Sequence, residues 1–357
     1  MKVIAYTKYD REAASTRQRL LQYLPAFAAA GITVEYRPLL SDHYVRSLAS
    51  GERPSRPDIA RAYAQRWREL RAPHRADLVW VYAELFPWLP AGGERLAFRP
   101  GLPVVYDMDD AFFIPYDTER RVPLRQLLRN KLQPLIRGAS ACTCGNAYLA
   151  DYARPLCPRT LIVPTVVDTD RYVPAARQQQ RPLTIGWIGS PSTWPQLGPL
   201  LPLLAELSAR GGIRVKVIGA GAGAGQGSFP GLHLVPWSEA TEIADVQSMD
   251  IGIMPLTDDP FVRGKSGYKL IQYMACGLPV IASPVGVNST IVQHGINGFL
   301  ATGTDEWRAA LQQLIGDAEL RRSMGEAGRS RAVERYSLAS QAPRLIDLFQ
   351  SLVTTSA

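Results

Sequence analysis

Residues 263–281 read Arg263-Gly264-Lys265-Ser266-Gly267-Tyr268-Lys269-Leu270-Ile271-Gln272-Tyr273-Met274-Ala275-Cys276-Gly277-Leu278-Pro279-Val280-Ile281. A basic, glycine-containing loop runs into an apolar-periodic helix over 266–276, which stops at Gly277 and passes to a short apolar strand, Pro279–Ala282. Upstream the same alternation gives strands at Leu183–Ile188, Ile213–Ile218, Leu232–Val235 and Ile251–Met254, with helices after Pro195 and over 238–247. Parallel strands need crossover connections, so strands alternating with helices predict a parallel sheet covered on both faces.

The first half repeats the pattern. Val3–Tyr6, Ile32–Tyr36, Asp77–Tyr82, Pro103–Tyr106, Ser140–Thr143 and Thr160–Val163 read as strands. A helix running to Ala30 and helices over 57–71 and 123–137 separate them. Between the halves, Pro174–Pro182 is polar, aperiodic and bracketed by prolines, and the domain boundary is expected there. The reading is therefore an α/β chain with two sheets in tandem: residues 1–175, residues 183–335, and a C-terminal helix, 336–357, directed back towards the first domain. Gly219–Gly227 is low-complexity and reads as a surface loop.

The chain has 357 residues, 46% hydrophobic and 20% charged, a composition that excludes a disordered or membrane-bundle class. Its longest apolar stretches fall short of the ~20 residues that span a bilayer. The opening MKVIAYTKYD lacks the apolar core of a signal peptide, so the cytoplasm is the expected compartment. Four cysteines and four histidines are spaced like neither a disulfide framework nor a zinc site. Residues 1–180 carry 26 basic and 18 acidic side chains, and residues 181–357 carry 14 of each, so the whole net charge of +8 is N-terminal.

Two segments carry anion-binding chemistry. Gly186-Trp187-Ile188-Gly189-Ser190-Pro191-Ser192-Thr193 ends a strand and opens a helix, where free amides and hydroxyls bind phosphate oxygens; a plain capped turn has the same spelling. In the opening stretch, Arg263, Lys265 and Lys269 surround a helix start and Gly267 removes a side chain from it, which suits a diphosphate. Exposed basic residues on a capped helix are the alternative. Gln272 lies one turn from Tyr268 on the same face.

These segments, with Pro236-Trp237 after a strand, Asp250-Ile251-Gly252-Ile253-Met254-Pro255-Leu256, Met274–Val280 and Asn297-Gly298-Phe299-Leu300, resemble the retaining GT-B glycosyltransferases of family 4. The resemblance covers 183–335 closely and 1–175 more loosely, where Val163–Asp168 with Tyr172 and Pro174 looks like the family's interdomain approach. It implies two Rossmann-like domains with parallel sheets facing a cleft, a nucleotide-diphosphate sugar on the C-terminal domain and an acceptor on the N-terminal one. Gly189, Ser190, Thr193, Gly267, Tyr268 and Lys269 would bind the donor, Pro236 and Trp237 its base, and Gln272 its ribose. Arg263 and Lys265 would stabilise the leaving diphosphate. Two glutamates usually flank seven residues in this family; here those positions are Gly264 and Gln272.

In the N-terminal half, Glu84 follows a strand where open α/β sheets bind ligands, and is the candidate acid or base; a solvated loop carboxylate is the alternative. Thr16, Arg17, Arg19, Asp107 and Asp109 are candidate acceptor contacts. Asp107 and Asp109 form an Asp-x-Asp of the metal-holding type, but two Rossmann-like halves argue against that use, and neither metal nor cofactor is expected. The basic faces of helices 57–71 (Arg61, Arg66, Arg68, Arg71) and 123–137 (Arg125, Arg129, Lys131, Arg137) suit either an anionic membrane or water. The expected activity is retaining glycosyl transfer to an anionic or lipid-linked acceptor in cell-surface glycan or glycolipid assembly, without nucleic acid. The alternatives are glycosylation of a diffusible small molecule, nucleotide-sugar epimerisation, and binding without turnover.

Overall fold

The computed structural model describes residues 1–72, 75–176, 182–221 and 228–356. Residues 177–181 of the expected linker and 222–227 of the glycine-rich loop lie outside them. The chain forms two compact units, Met1–Thr165 with Arg263–Ser266 and Gln341–Ala357, and Val166–Val262 with Gly267–Ser340.

The first unit holds β1 (Lys2–Tyr9), β2 (Thr33–Leu40), β3 (Leu78–Tyr82), β4 (Val104–Met108), β5 (Ala141–Cys144) and β6 (Thr160–Ile162). All pairs are parallel, in the order β2-β1-β3-β4-β5-β6. The chain steps from β1 to β2 on one side and returns to β3 on the other, so the direction of winding reverses between β1 and β3. Helices cover the sheet, and Phe349 of the last helix (Leu338–Ser356) stacks on Phe27 at 5.3 Å and meets Trp80 edge-on.

The second unit holds β7 (Leu183–Ile188), β8 (Ile213–Ile218), β9 (Leu232–Val235), β10 (Ile251–Met254), β11 (Val280–Ala282) and β12 (Gly298–Leu300), ordered β12-β11-β10-β7-β8-β9 and again parallel. This is the doubly wound order of a dinucleotide-binding sheet, with its reversal between β7 and β10. Residues alternate between two buried layers. Ile185, Trp187, Ile253 and Ile281 face one cluster, and Ile188, Met254, Val280 and Ala282 the other. Burial on both faces explains why these strands read as unbroken apolar runs.

Three sequence expectations are corrected. The division falls at Thr165/Val166, ten residues before the expected end at 175. The cause is tertiary: Val167 N–H donates to Tyr336 O, Leu338 N–H donates to Val167 O, and the Arg329 guanidinium holds the carbonyls of Thr169 and Tyr172. The expected helix 123–137 is two helices, Val122–Leu128 and Gln133–Gly138, parted where Asn130 adopts φ 59° and Pro134 starts the second. The helix running to Ala30 is likewise broken into short segments, Ala14–Arg19, Leu21–Tyr23 and Leu24–Ala29.

Candidate functional site

The second unit assembles its candidate site from the C-terminal ends of its strands. Beyond β7, Gly189 N–H donates to Ile218 O at 3.0 Å, and the chain turns through Ser190–Thr193. Thr193 Oγ1 accepts from Ser190 N–H at 2.9 Å, and Thr193 N–H returns a bond to Ser190 O. The following segments are single 3₁₀ turns, Trp194–Gln196 and Gly198–Leu200, and the α-helix starts only at Leu201. The expected helix N-terminus directly behind the turn is therefore absent, and one of its amides is already satisfied.

Beyond β8, Gly219 adopts φ +77°, and a Cβ there would lie 2.4 Å from Gly189 O and 3.1 Å from Trp237 Cβ. Only glycine lets the ends of β7, β8 and β9 approach so closely. Trp237 itself donates through Nε1 to Glu242, which also accepts from the Tyr172 hydroxyl. Gln272, buried on helix Tyr268–Ala275, donates to Glu242 Oε1 at 2.9 Å and to Tyr172 Oη at 3.1 Å. Lys269, one turn earlier, sits over the Trp187 ring at 5.4 Å. The structure thus brings Gly189, Ser190 and Thr193 together in one turn, links Gly189 to Trp237 through Gly219, and links Trp237 to Gln272 through Glu242. Pro236 is exposed beside Trp237. Glu242 escaped the sequence reading because a single glutamate at a helix start has no signature of its own.

Gly267 is explained differently from expectation. It caps helix Tyr268–Ala275 at φ +67°, and a Cβ would lie 2.3 Å from Ile291 Cδ1, so packing requires the glycine there. Arg263 and Lys265 group with the first unit. Asn146 Nδ2 donates to the carbonyls of Gly264 and Lys265 at 2.9 and 3.0 Å, and Lys265 Nζ lies 3.9 Å from Asp110. A Cβ on Gly264 would fall 2.6 Å from that of Ala111 and 2.7 Å from its nitrogen, so no carboxylate fits at this position.

In the first unit the candidate residues are largely committed to one another. Arg19 donates to both oxygens of Asp107 and to Val163 O, and Thr143 Oγ1 completes the set on Asp107 at 2.6 Å. Both charges are buried, so the expected acceptor contacts at Arg19 and Asp107 are replaced by a structural pair that ties the first helix to β4, β5 and the β6 end. Thr16 is buried with its hydroxyl on Tyr9 O, and Arg17 holds the carbonyls of Arg11 and Glu12. Asp109 accepts from Tyr82 Oη at 2.6 Å; burial, reinforced by Asp110, pushes its carboxyl up to about 7.

Glu84 follows β3 at the first sheet's reversal, next to Ala83 at φ 64°. It is neither solvated nor open to a substrate, being 2% exposed. Lys8 Nζ lies 2.8 Å from Oε2, while Lys131 Nζ at 3.3 Å and the Tyr116 hydroxyl meet Oε1. Burial alone would raise this carboxyl, but the two ammonium groups outweigh it and hold it below its ordinary range. A carboxylate kept ionised and enclosed is unsuited to exchanging protons, so the expected acid/base role is corrected to holding Lys8 and Lys131. Lys131 also reaches Glu94 at 3.0 Å, which burial pushes up to about 7. Of the expected basic faces, Lys131 is therefore interior, and so is Arg66, which donates to Thr7 O and Arg37 O. Arg61, Arg68, Arg71, Arg125, Arg129 and Arg137 are exposed. Among the described residues no group of three or more His, Cys, Asp or Glu is arranged to hold a metal, and no helix is long and apolar enough to cross a membrane.

Residues 183–317 match the family model described as glycosyl transferases group 1. Over 252 residues the chain is 27% identical to the D-inositol 3-phosphate glycosyltransferase of Corynebacterium jeikeium, covering 62% of this chain and 55% of that one. The chain spans about half the length of the curated relatives it matches. Among solved structures it is similar to sucrose-phosphate synthase from Thermosynechococcus elongatus, with TM-score 0.77 and 17% identity over 99% of this chain and 100% of the other. It is also similar to Anabaena HepE in complex with UDP, with TM-score 0.69 and 17% identity over 98% and 100%. Residues 183–317 thus match the model of glycosyl transferases group 1, and the chain shares the two-domain GT-B fold of these solved structures along almost its whole length.

Proposed function

We propose that the protein transfers a glycosyl group from a nucleoside-diphosphate sugar to an acceptor hydroxyl with retention of configuration, in the assembly of a cell-surface glycan or glycolipid at the cytoplasmic side of a membrane. The observation that carries the donor half is the convergence of Gly189, Gly219 and Trp237 at the ends of β7, β8 and β9, where open α/β sheets bind nucleotides. The glycines bring main chain close together here, with the Thr193 hydroxyl and the Trp187 ring against Gly189. Arg263 and Lys265 are the proposed counter-charges. The sugar C1–O bond to the diphosphate breaks, a C1–O bond to the acceptor forms on the same face, and the acceptor hydroxyl proton passes to the departing diphosphate. Stabilising charge on that leaving group is the largest expected catalytic contribution. No metal takes part in this scheme.

An anionic acceptor is supported by the confinement of the net +8 to residues 1–180, since such a field concentrates anionic partners. The D-inositol 3-phosphate named for the Corynebacterium relative is of the same class. The test is a donor panel of UDP-, GDP- and ADP-sugars with and without EDTA. Release of nucleoside diphosphate, undiminished by EDTA and lowered about 10- to 100-fold in kcat/KM by Arg263→Ala and by Lys265→Ala, is the expected result. An isomerised sugar nucleotide marks an epimerase, and a thermal shift without turnover marks a binding protein. Unchanged kinetics in both variants would remove the diphosphate role of Arg263 and Lys265.

A further inference from the structure

We infer that Glu242 is the carboxylate that receives a ribose hydroxyl of the bound nucleoside diphosphate, an inference that rests on the donor reading above. Glu242 opens the short helix Glu242–Gln247, just after the turn that leaves β9. Three donors hold it, each from a different part of the second unit. The Tyr172 hydroxyl and Gln272 Nε2 meet Oε1, and Trp237 Nε1 meets Oε2.

An ionised carboxylate accepts about four hydrogen bonds. Three are taken, and the remaining lone pair is on Oε2, the oxygen bonded to Trp237. Among the described residues no lysine or arginine pairs with Glu242, in contrast to Glu84 with its two ammonium groups. A half-buried carboxylate held by neutral donors keeps its charge available to a ligand. It repels phosphate and attracts hydroxyl donors. Through Trp237 and Gly219 it is linked to Gly189, on the side of the sheet where the nucleotide is proposed. Acidic side chains at the edges of doubly wound sheets hold ribose hydroxyls by the same chemistry.

The arrangement also explains Gln272. Its amide nitrogen is a donor 2.9 Å from Glu242 Oε1. A glutamate in its place would set a second carboxylate against the first and remove that donor. The glutamine is thus matched to Glu242.

The experiment measures the affinity of the full-length protein for UDP, 2′-deoxy-UDP and 3′-deoxy-UDP by calorimetry. The wild type is expected to prefer UDP over at least one deoxy analogue by about 10-fold or more, the size of one hydrogen bond to a charged group. Glu242→Gln should reduce that preference to within about 3-fold, as one charge-assisted bond is lost, with a lowered thermal midpoint because its amide NH2 then faces a donor. Gln272→Glu, which writes in the residue usual for the family, should weaken UDP binding. Equal binding of all three ligands by the wild type, full discrimination in Glu242→Gln, or tighter UDP binding in Gln272→Glu each overturns the inference while leaving the donor reading intact. If Glu242→Gln does not fold, the Gln272→Glu result decides alone. Failure of the wild type to bind UDP, GDP or ADP removes the donor reading and this inference with it.

Discussion

At the strand ends of the first sheet, charge meets charge. Arg19 is locked to Asp107, and Lys8, Glu84, Lys131 and Glu94 form an alternating chain, most of it interior. The strand ends of the second sheet bring together closely packed glycines, hydroxyls and amides, and one carboxylate that pairs with no cation among the described residues. The two sheets have nearly the same winding, yet at one end charged groups pair off and at the other a carboxylate is held by neutral donors. A charged residue at the end of a parallel strand is therefore not by itself a binding residue, because its partners decide.

The sharpest way to break this contrast is to remove Lys131. Lys131→Met leaves Glu84 and Glu94 without their shared ammonium in the interior, and should cost about 3–5 kcal/mol in urea unfolding. Lys265→Ala, at a partly exposed pair 3.9 Å apart, should cost about 1 kcal/mol or less. Similar small losses in both would mean that the first sheet's charges are not structural.

The pH dependence of stability sharpens the contrast further. Asp109 and Glu94 both titrate at about 7 in the folded protein, against about 4 in an unfolded chain. Between those values the folded state holds protons that the unfolded state has released, so stability falls as pH rises from about 4 to about 7. Asp109→Asn should flatten part of that decline in thermal midpoints measured across the window. An identical slope in the variant would contradict the assignment. Glu84, held low, works in the opposite sense and costs stability only as pH falls below the ordinary carboxylate range.

The smallest effect concerns membranes. Arg125→Gln and Arg129→Gln should each weaken co-sedimentation with anionic vesicles by about 1 kcal/mol. The loss should vanish at high salt, and neutral vesicles should not bind. Absence of binding at low salt would separate the basic charge of the first unit from any lipid surface.

Among the described residues, the alternation of apolar runs with helical periods is enough to read eleven of the twelve strands and the tandem arrangement, because strands buried on both faces leave unbroken apolar runs. β12 is only three residues long and starts on a glycine, so it reads as a turn. The helix over 123–137 was overextended because Leu124, Leu128, Leu132 and Leu135 keep a helical spacing through a real break. Pro134, which disfavours helix in the residue before it, was the available signal. The unit boundary was misplaced because bonds from Val167 to residues 336 and 338 leave no trace in composition. Lys131 and Arg66 looked solvated for a similar reason, since only the fold reveals the carboxylates and carbonyls that take them inside. Turn chemistry at Gly189–Thr193 is local and was legible. The Glu242 cluster joins residues 172, 237 and 272 and was not.

The first unit is discontinuous, and this bears on the order in which the protein matures on the ribosome. Every residue of the second unit up to Ser340 is synthesised before Phe349, whose ring stacks on Phe27 and closes the edge of Trp80. The N-terminal sheet thus emerges first and waits longest, its aromatic core incomplete until the final turns of the last helix are made. Exposed apolar surface of that kind is what chaperones bind during synthesis. The part of the chain translated later is the part that can finish folding earlier.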